Sequence, residues 1–211
     1  MILSRFIVFE GIDGSGTSTQ VRLLAQRIAR SAPSCALSVT AEPTSAETGR
    51  FLRQILKGTH KVHPGTAAHL FAADRHEHLY GTDGIITHIE RGGIVISDRY
   101  LFSSLAYQSI ECGEELPYRL NSSFPLPQLL FFFDIDPQTA MSRIARRSST
   151  EIYETLPFLE KTAAAYRRVI AGFEQDGAHG MRIVRIPAAE PIAEIASKIW
   201  NTVQELPILK A

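Results

Sequence analysis

The segment FEGIDGSGTSTQ, residues 9–20, joins a short apolar run to a helical pattern. Residues 6–9 are all apolar and stop at a cluster of three glycines, as a buried parallel strand does. Beyond the glycines, apolar residues recur at helical spacing through residue 31. The segment therefore predicts a strand, a glycine-rich loop and a helix in succession.

The loop matches the phosphate-binding pattern G-x-x-x-x-G-K-[ST] except at its lysine. Gly11 and Gly16 have the required separation and Ser18 stands at the hydroxyl position, but residue 17 is threonine. In such loops the backbone N–H groups surround an anion, and a lysine adds a mobile charge that reaches the β and γ phosphates. The residues predicted to bind the phosphates of ATP are Gly11, Ile12, Asp13, Gly14, Ser15, Gly16, Thr17, Ser18 and Thr19.

The rest of the chain alternates between apolar runs and helical patterns. Further strands are predicted at residues 36–40, 94–97, 129–133 and 183–186. Further helices are predicted at residues 47–56, 66–91, 137–146, 156–174 and 191–206. This alternation predicts one α/β domain over residues 1–211, with a parallel sheet and helices on both faces. Residues 111–127 contain three prolines and are predicted to form an irregular connection.

Composition excludes several classes of partner and location. The 22 basic and 22 acidic residues cancel, so we expect neither nucleic acid nor a membrane surface as a partner. The first apolar run is too short to span a bilayer, no secretory signal pattern is visible, and the two cysteines lack metal or disulfide spacing. A cytoplasmic protein is therefore expected. Arginines make up 17 of the 22 basic residues, which favours bidentate phosphate recognition.

Four motifs in order resemble those of thymidylate kinases, a family of P-loop nucleoside monophosphate kinases. They are FEGIDGSG at the start, EPT at residues 42–44, LFAADR at residues 70–75 and ISDRYLFSSLAYQ at residues 96–108. The resemblance implies a five-stranded parallel sheet, a short lid at about residues 143–154, ATP with Mg²⁺ as donor and dTMP as acceptor. It also implies a homodimer, for which the helix predicted at residues 66–91 is a candidate surface.

The resemblance also implies roles for individual residues. Ser18 and Asp98 would hold the magnesium ion, and Asp13 would contact the sugar 3′-hydroxyl as well as belonging to the loop. Substrate contacts are implied for Asp13, Phe71, Arg75, Arg99, Ser103, Ser104, Tyr107, Gln108 and Tyr153. Phe71 would stack on the pyrimidine, and the guanidinium groups at positions 75 and 99 would hold the acceptor phosphate. The catalytic charges would come from Arg99, Arg146 and Arg147.

Three positions that are usually basic in the family are neutral here: Thr17, Ala41 and Ile152. An arginine on a transferring phosphoryl group is worth roughly a thousandfold in rate, so these losses affect the expected chemistry. Our hypothesis is that Arg146 or Arg147 closes over the phosphates and replaces the absent lysine. A structural role also stays open for Phe71 in the core, for Asp98 as a helix cap and for the lid arginines beside a helix dipole.

Two other functions remain open from the sequence. A deoxynucleoside kinase would phosphorylate a sugar hydroxyl and would need a carboxylate base, for which Glu10, Glu42 or Asp98 is available. A non-catalytic nucleotide sensor would keep the loop and lose the transfer chemistry, and the three missing charges favour it. The pair Arg75 and Arg99 favours the nucleotide kinase, because a nucleotide acceptor brings a second phosphate to be held.

Overall fold

The computed structural model of the protein describes residues 1–145 and 152–205. The strands are β1 (Ile2–Gly11), β2 (Leu37–Ala41), β3 (Ile94–Asp98), β4 (Leu126–Asp134) and β5 (Arg182–Pro187). The helices are α1 (Thr17–Ser31), α2 (Glu47–Leu56), α3 (Pro64–Tyr80), α4 (Ile85–Glu90), α5 (Leu101–Cys112), α6 (Glu115–Asn121), α7 (Pro137–Ile144), α8 (Leu156–Gln175) and α9 (Ile192–Glu205). The five strands pair in parallel in the order β2-β3-β1-β4-β5, which confirms the predicted sheet.

The strand order places helices on both faces of the sheet. The chain crosses from β1 to β2 in one direction and then returns across β3, β1, β4 and β5. Because such crossovers are right-handed, α1 lies on one face and the helices that follow β2, β3 and β4 lie on the other. Helix α9 packs against α1, and α5 packs against α3 and α8. None of the helices within residues 1–145 and 152–205 is long and apolar enough to cross a membrane.

The carboxyl edge of the sheet brings the predicted motifs together. In the parallel register Phe9 of β1 pairs with Asp98 of β3, and Ala41 of β2 pairs with Asp98 from the other side. Gly11 at the end of β1 pairs with Phe133 of β4. The loops that follow β1, β2 and β3 therefore start side by side, which is where open parallel sheets bind their ligands.

Two element predictions were wrong. The single helix predicted at residues 66–91 is two helices, α3 and α4, because the chain makes a turn at residues 81–84 that the apolar periodicity does not show. The connection predicted to be irregular at residues 111–127 contains the short helix α6 and the first residues of β4. Its Pro117 lies in the first turn of α6, where proline is tolerated because the N–H it lacks would have no helical partner.

Gly49 in the first turn of α2 allows the EPT segment to pack tightly. A Cβ at this position would clash with the backbone of Thr44. We therefore expect Gly49→Ala to lower the free energy of unfolding by about 1–3 kcal/mol, as overpacking does. Gly172 in α8 is the matched control, since nothing lies within 4 Å of its added Cβ. Gly172→Ala should stabilise by about 0.5–1 kcal/mol, and equal effects of the two changes in urea denaturation would contradict the packing.

Candidate active site

The glycine-rich loop predicted to bind phosphate connects β1 to α1. The N-cap residue of α1, Gly16, has a φ of 96°, and no side chain in the described ranges caps this helix end. The first N–H groups of α1 and its positive dipole end are thus available to an anion. Gly14 has a φ of 82°, and a Cβ there would lie 2.5 Å from the carbonyl oxygen of Ala140. The loop is therefore fixed against α7 by a contact that only glycine permits.

Ser18 and Asp98 lie together at the start of α1 and the end of β3. Ser18 Oγ donates to Asp98 Oδ2 at 2.5 Å, and Asp98 Oδ1 is buried with no hydrogen-bond partner among the described residues. Hydroxyl and carboxylate oxygens are ligands that Mg²⁺ prefers, so this pair fits the predicted magnesium position. Residues 1–145 and 152–205 contain no cluster of three or more His, Cys, Asp or Glu side chains that could hold a metal. An ion here would depend on nucleotide phosphates for further ligands.

A cavity of about 240 Å³ opens beside Asp13 of the loop. Eight of the nine predicted substrate-binding residues line it: Asp13, Phe71, Arg75, Arg99, Ser103, Tyr107, Gln108 and Tyr153. The ninth, Ser104, is buried and accepts a hydrogen bond from Arg75 at 3.2 Å. The cavity is also lined by Glu42, Pro43, Arg53, Leu56 and Glu154. The structure thus assembles the predicted acceptor residues around one space.

Arg99 is held rigidly between the loop and α5. Its φ of 75° is uncommon for a residue with a side chain, and its N–H donates to Phe9 O at 2.8 Å. The guanidinium pairs with Asp13 Oδ1 at 2.7 Å, donates to Ser103 Oγ at 3.2 Å and lies over the Tyr107 ring. The Tyr107 hydroxyl donates to the other Asp13 oxygen at 2.8 Å. Arg99 and the carboxylate of the loop therefore form one unit.

Arg75 is almost completely buried and is paired with Glu42. Only 1% of its side chain is exposed, and Nη2 lies 2.6 Å from Glu42 Oε2. Its Nη1 also donates to Asn121 Oδ1. The second Glu42 oxygen bonds to His78 at 3.1 Å, and His78 in turn bonds to Thr40 of β2. The charge of Arg75 is thus neutralised before any substrate enters, and removing either member of the pair would leave a buried charge.

The described part of the predicted lid closes one side of the cavity. Tyr153 donates to Glu111 Oε2 at 2.6 Å and stacks on Phe158 at 4.5 Å. The N–H of Ile152 donates to Leu56 O at 3.0 Å, and its side chain lies beside residue 58 at the end of α2. Arg143 reaches the carbonyl oxygens of the phosphate-binding loop. Arg146 and Arg147, the predicted catalytic arginines of the lid, lie outside the described residues.

Glu10 and Tyr166 form a buried group that motif matching missed. Glu10 Oε1 accepts hydrogen bonds from the N–H groups of Tyr100 and Ser103. Glu10 Oε2 accepts from the hydroxyls of Ser103 and Tyr166, and both of these distances are 2.7 Å. The Tyr166 hydroxyl also accepts from Arg99 at 3.4 Å. Glu10 carried a signal as a charged residue inside an apolar strand. No such signal marks Tyr166 in the sequence, because α8 has many residues on its apolar face and Tyr166 is one of them.

Arg53 also lines the cavity without having been predicted. Its Nη2 donates to Pro43 O at 2.5 Å and its Nη1 donates to Thr44 O. Its partners are neutral carbonyl oxygens, and the described part of the chain gives it no carboxylate partner. A guanidinium held in this way keeps its full charge towards the cavity. The helical pattern of α2 shows only that an arginine stands there, and such an arginine most often faces solvent.

Burial raises the pKa of Glu10 to about 7, against the lowering effects of nearby Arg99 and of the hydrogen bonds from Ser103, Tyr166 and Tyr100. A raised pKa means that the folded protein binds this proton more tightly than the unfolded chain. The stability that Glu10 contributes is therefore fully present below about pH 4.5 and is lost as the pH rises to about 7.

Glu10→Gln removes this titration while keeping the side-chain shape. Its amide oxygen still accepts from the two N–H groups, and its amide nitrogen can donate to the hydroxyls of Ser103 and Tyr166. Relative to the variant, the unsubstituted protein should lose stability on the order of 3 kcal/mol between about pH 4.5 and 7. Urea denaturation of both proteins across this range measures the difference. If the difference in free energy of unfolding between the two proteins does not change over this pH range, Glu10 is ionised across the whole range.

Comparisons with known proteins identify the family of the chain. The family model described as thymidylate kinase matches residues 9–199. A protein of Treponema pallidum (strain Nichols), provisionally named thymidylate kinase, is 39% identical over 210 residues, which cover 99% of each chain. A thymidylate kinase of Leptospira borgpetersenii serovar Hardjo-bovis (strain L550) is 38% identical over 173 residues, covering 78% of this chain and 80% of the relative. The chain belongs to the thymidylate kinase family.

Proposed function

We propose that the protein transfers the γ-phosphoryl group of ATP to the phosphate of dTMP, giving ADP and dTDP for dTTP synthesis. One observation carries the proposal. A cavity lined by an aromatic ring, an amide and three guanidinium groups opens at Asp13 of a phosphate-binding loop. Such a cavity suits a pyrimidine nucleotide, because the ring can stack while the cations face the phosphate. Membership of the thymidylate kinase family supports the same interpretation.

On the donor side, the N–H groups of residues 11–19 bind the phosphates of ATP. Ser18 ligates Mg²⁺, and Asp98 supports the ion from the end of β3. When bound, the ion neutralises negative charge on the phosphates. The backbone of the loop is already curled and held against α7, so little ordering remains to be done when the nucleotide arrives.

On the acceptor side, Phe71 stacks on the pyrimidine and Gln108 bonds to the base edge with its paired donor and acceptor. Asp13 accepts from the sugar hydroxyl, and Arg99 binds the acceptor phosphate. Arg75 supports that phosphate from behind, because Glu42, Asn121 and Ser104 already hold four of its five N–H donors. Further contacts come from Ser103, Tyr107 and Tyr153, whereas the buried Ser104 acts on the substrate only through its hydrogen bond with Arg75. Together these side chains align two phosphates that would otherwise repel each other.

Three arginines supply the charge for the transfer in this proposal. Arg99 lies where the loop and the acceptor cavity meet, since it pairs with Asp13 and lines the cavity. Arg146 and Arg147 follow α7 and belong to the proposed lid, which covers the donor phosphates and excludes water. The three would stabilise charge on the transferring group at a site where residue 17 is neutral.

We further propose a cytoplasmic homodimer. Phe51 of α2 and Tyr80 of α3 are large hydrophobic side chains that remain 37% and 47% exposed. Helices α2 and α3 pack against each other, and we propose that they meet a second copy together. Both cysteines are free, which suits a reducing compartment. In analytical sedimentation, a double variant with Phe51→Ser and Tyr80→Ser should be a monomer. A double variant that is still a dimer would show that the interface lies on another surface.

Measurement of ADP release tests the proposed reaction. With ATP and Mg²⁺ we expect release that depends on dTMP, little release with thymidine, and none after addition of EDTA. Thymidine lacks the phosphate that Arg99 and Arg75 would hold in this proposal. Equal rates with thymidine would instead indicate a deoxynucleoside kinase. Nucleotide binding in calorimetry without any ADP release would indicate a sensor.

Ser18→Ala tests the proposed magnesium position. We expect turnover of dTMP to fall by about tenfold or more, and the Mg²⁺ concentration for half-maximal rate to rise. Ser197→Ala is the matched control, since Ser197 also bonds to oxygen, namely the carbonyl of Ala193 in its own helix α9 at 2.9 Å. The control should leave both quantities unchanged. Equal behaviour of the two variants would remove Ser18 from the metal site.

A further inference from the structure

The guanidinium of Arg143 lies against the outer side of the phosphate-binding loop. Its Nη1 lies 3.4 Å from Gly14 O and 3.5 Å from Ser15 O, and its Nη2 donates to Ala188 O at 3.0 Å. The helix that carries it packs directly on the loop, because α7 contacts Gly14 with no space for a Cβ between them. The position of this charge beside the loop is therefore built into the fold.

The charge of Arg143 is not neutralised by a carboxylate in the part of the chain that the structure describes. Its three acceptors are neutral carbonyl oxygens. Two arginines of the acceptor cavity differ in this respect, since Arg75 pairs with Glu42 and Arg99 pairs with Asp13. A partly buried cation without a counter-ion attracts a nearby anion with little screening by salt.

The contacts of Arg143 also act through the peptide groups of the loop. The carbonyl of Gly14 shares its peptide group with the N–H of Ser15, and the carbonyl of Ser15 shares its peptide group with the N–H of Gly16. A cation at the oxygen end polarises the peptide, and the N–H at the other end becomes a stronger donor. The N–H of Ser15 already donates to Ile12 O at 3.1 Å, so the N–H of Gly16 is the donor that the guanidinium strengthens towards an anion.

We propose that Arg143 supplies the positive charge that residue 17 lacks, as a positioning residue that strengthens the hold of the loop on the donor triphosphate. The inference rests on the proposed role of residues 11–19 in ATP binding. It differs from replacement by Arg146 or Arg147, because it uses a charge that is already beside the loop when the site is empty. Residue 17 is a buried, neutral threonine. A lysine at position 17 and Arg143 would supply the same charge, so one of them is enough.

Calorimetry on the full chain tests this proposal with two probes, a non-hydrolysable ATP analogue with Mg²⁺ and adenosine, which has no phosphate. Arg143→Met should weaken binding of the analogue by about tenfold and leave adenosine binding unchanged. In a Thr17→Lys background the same change should cost about twofold or less, because the lysine restores the missing charge. Arg22→Met is the matched control, since Arg22 is an exposed arginine on α1, and it should leave both affinities unchanged.

Arg143→Lys keeps the positive charge. It is the variant that still tests the proposal if Arg143→Met fails to fold. It should retain analogue affinity within about threefold. Loss of adenosine binding equal to the loss of analogue binding would overturn the proposal, because Arg143 would then serve the base or the fold. An equal loss in the unsubstituted and Thr17→Lys backgrounds would overturn it as well. If the unsubstituted protein binds no analogue, the proposal that ATP is the donor fails as well. If the unsubstituted protein binds the analogue and Arg143→Met binds it equally well, only the proposal for Arg143 fails.

Discussion

The glycine-rich loop packs so closely against β4 and α7 that its main chain has one possible path. Added Cβ atoms would lie 2.9 Å from Phe133 O at Gly11 and 2.5 Å from Ala140 O at Gly14. Fixing this path fixes the start of α1, and hence Ser18 beside Asp98. It also fixes Asp13, to which Arg99 and Tyr107 bond. The donor and acceptor halves of the site therefore depend on two close contacts between backbone segments.

Much of the fold follows from local sequence patterns. Apolar runs predicted all five strands, and the runs are most continuous in the buried central strands β1, β3 and β4, because strands buried on both faces carry no polar alternation. The edge strands β2 and β5 are only partly buried and include polar residues. The turn that separates α3 from α4 escaped prediction because apolar spacing continues across it. The short helix α6 escaped because the three prolines of residues 111–127 are typical of a loop, although Pro117 occupies a tolerated position in the helix. Periodicity reports which face is buried and says little about where one element ends.

The candidate site was predicted less completely than the sheet. Phe71, Arg99 and Gln108 reach one cavity, in agreement with the motifs that contain them. The burial of Arg75 by Glu42 was not predicted, since the two residues are 33 positions apart and no pattern links them. The same holds for Tyr166, whose hydroxyl crosses to β1 from a distant helix. Such pairings arise from tertiary packing, which a single sequence does not reveal.

The buried carboxylate of Glu10 joins three elements of the molecule, namely β1, α5 and α8. It receives hydrogen bonds from α5 and α8 while standing on the central strand, and the same hydroxyls contact Arg99. Replacing any one of these side chains by an apolar one leaves a polar atom without a partner in the interior. We therefore expect Glu10, Ser103 and Tyr166 to be substituted together when members of the family diverge, although the three positions are far apart in the chain.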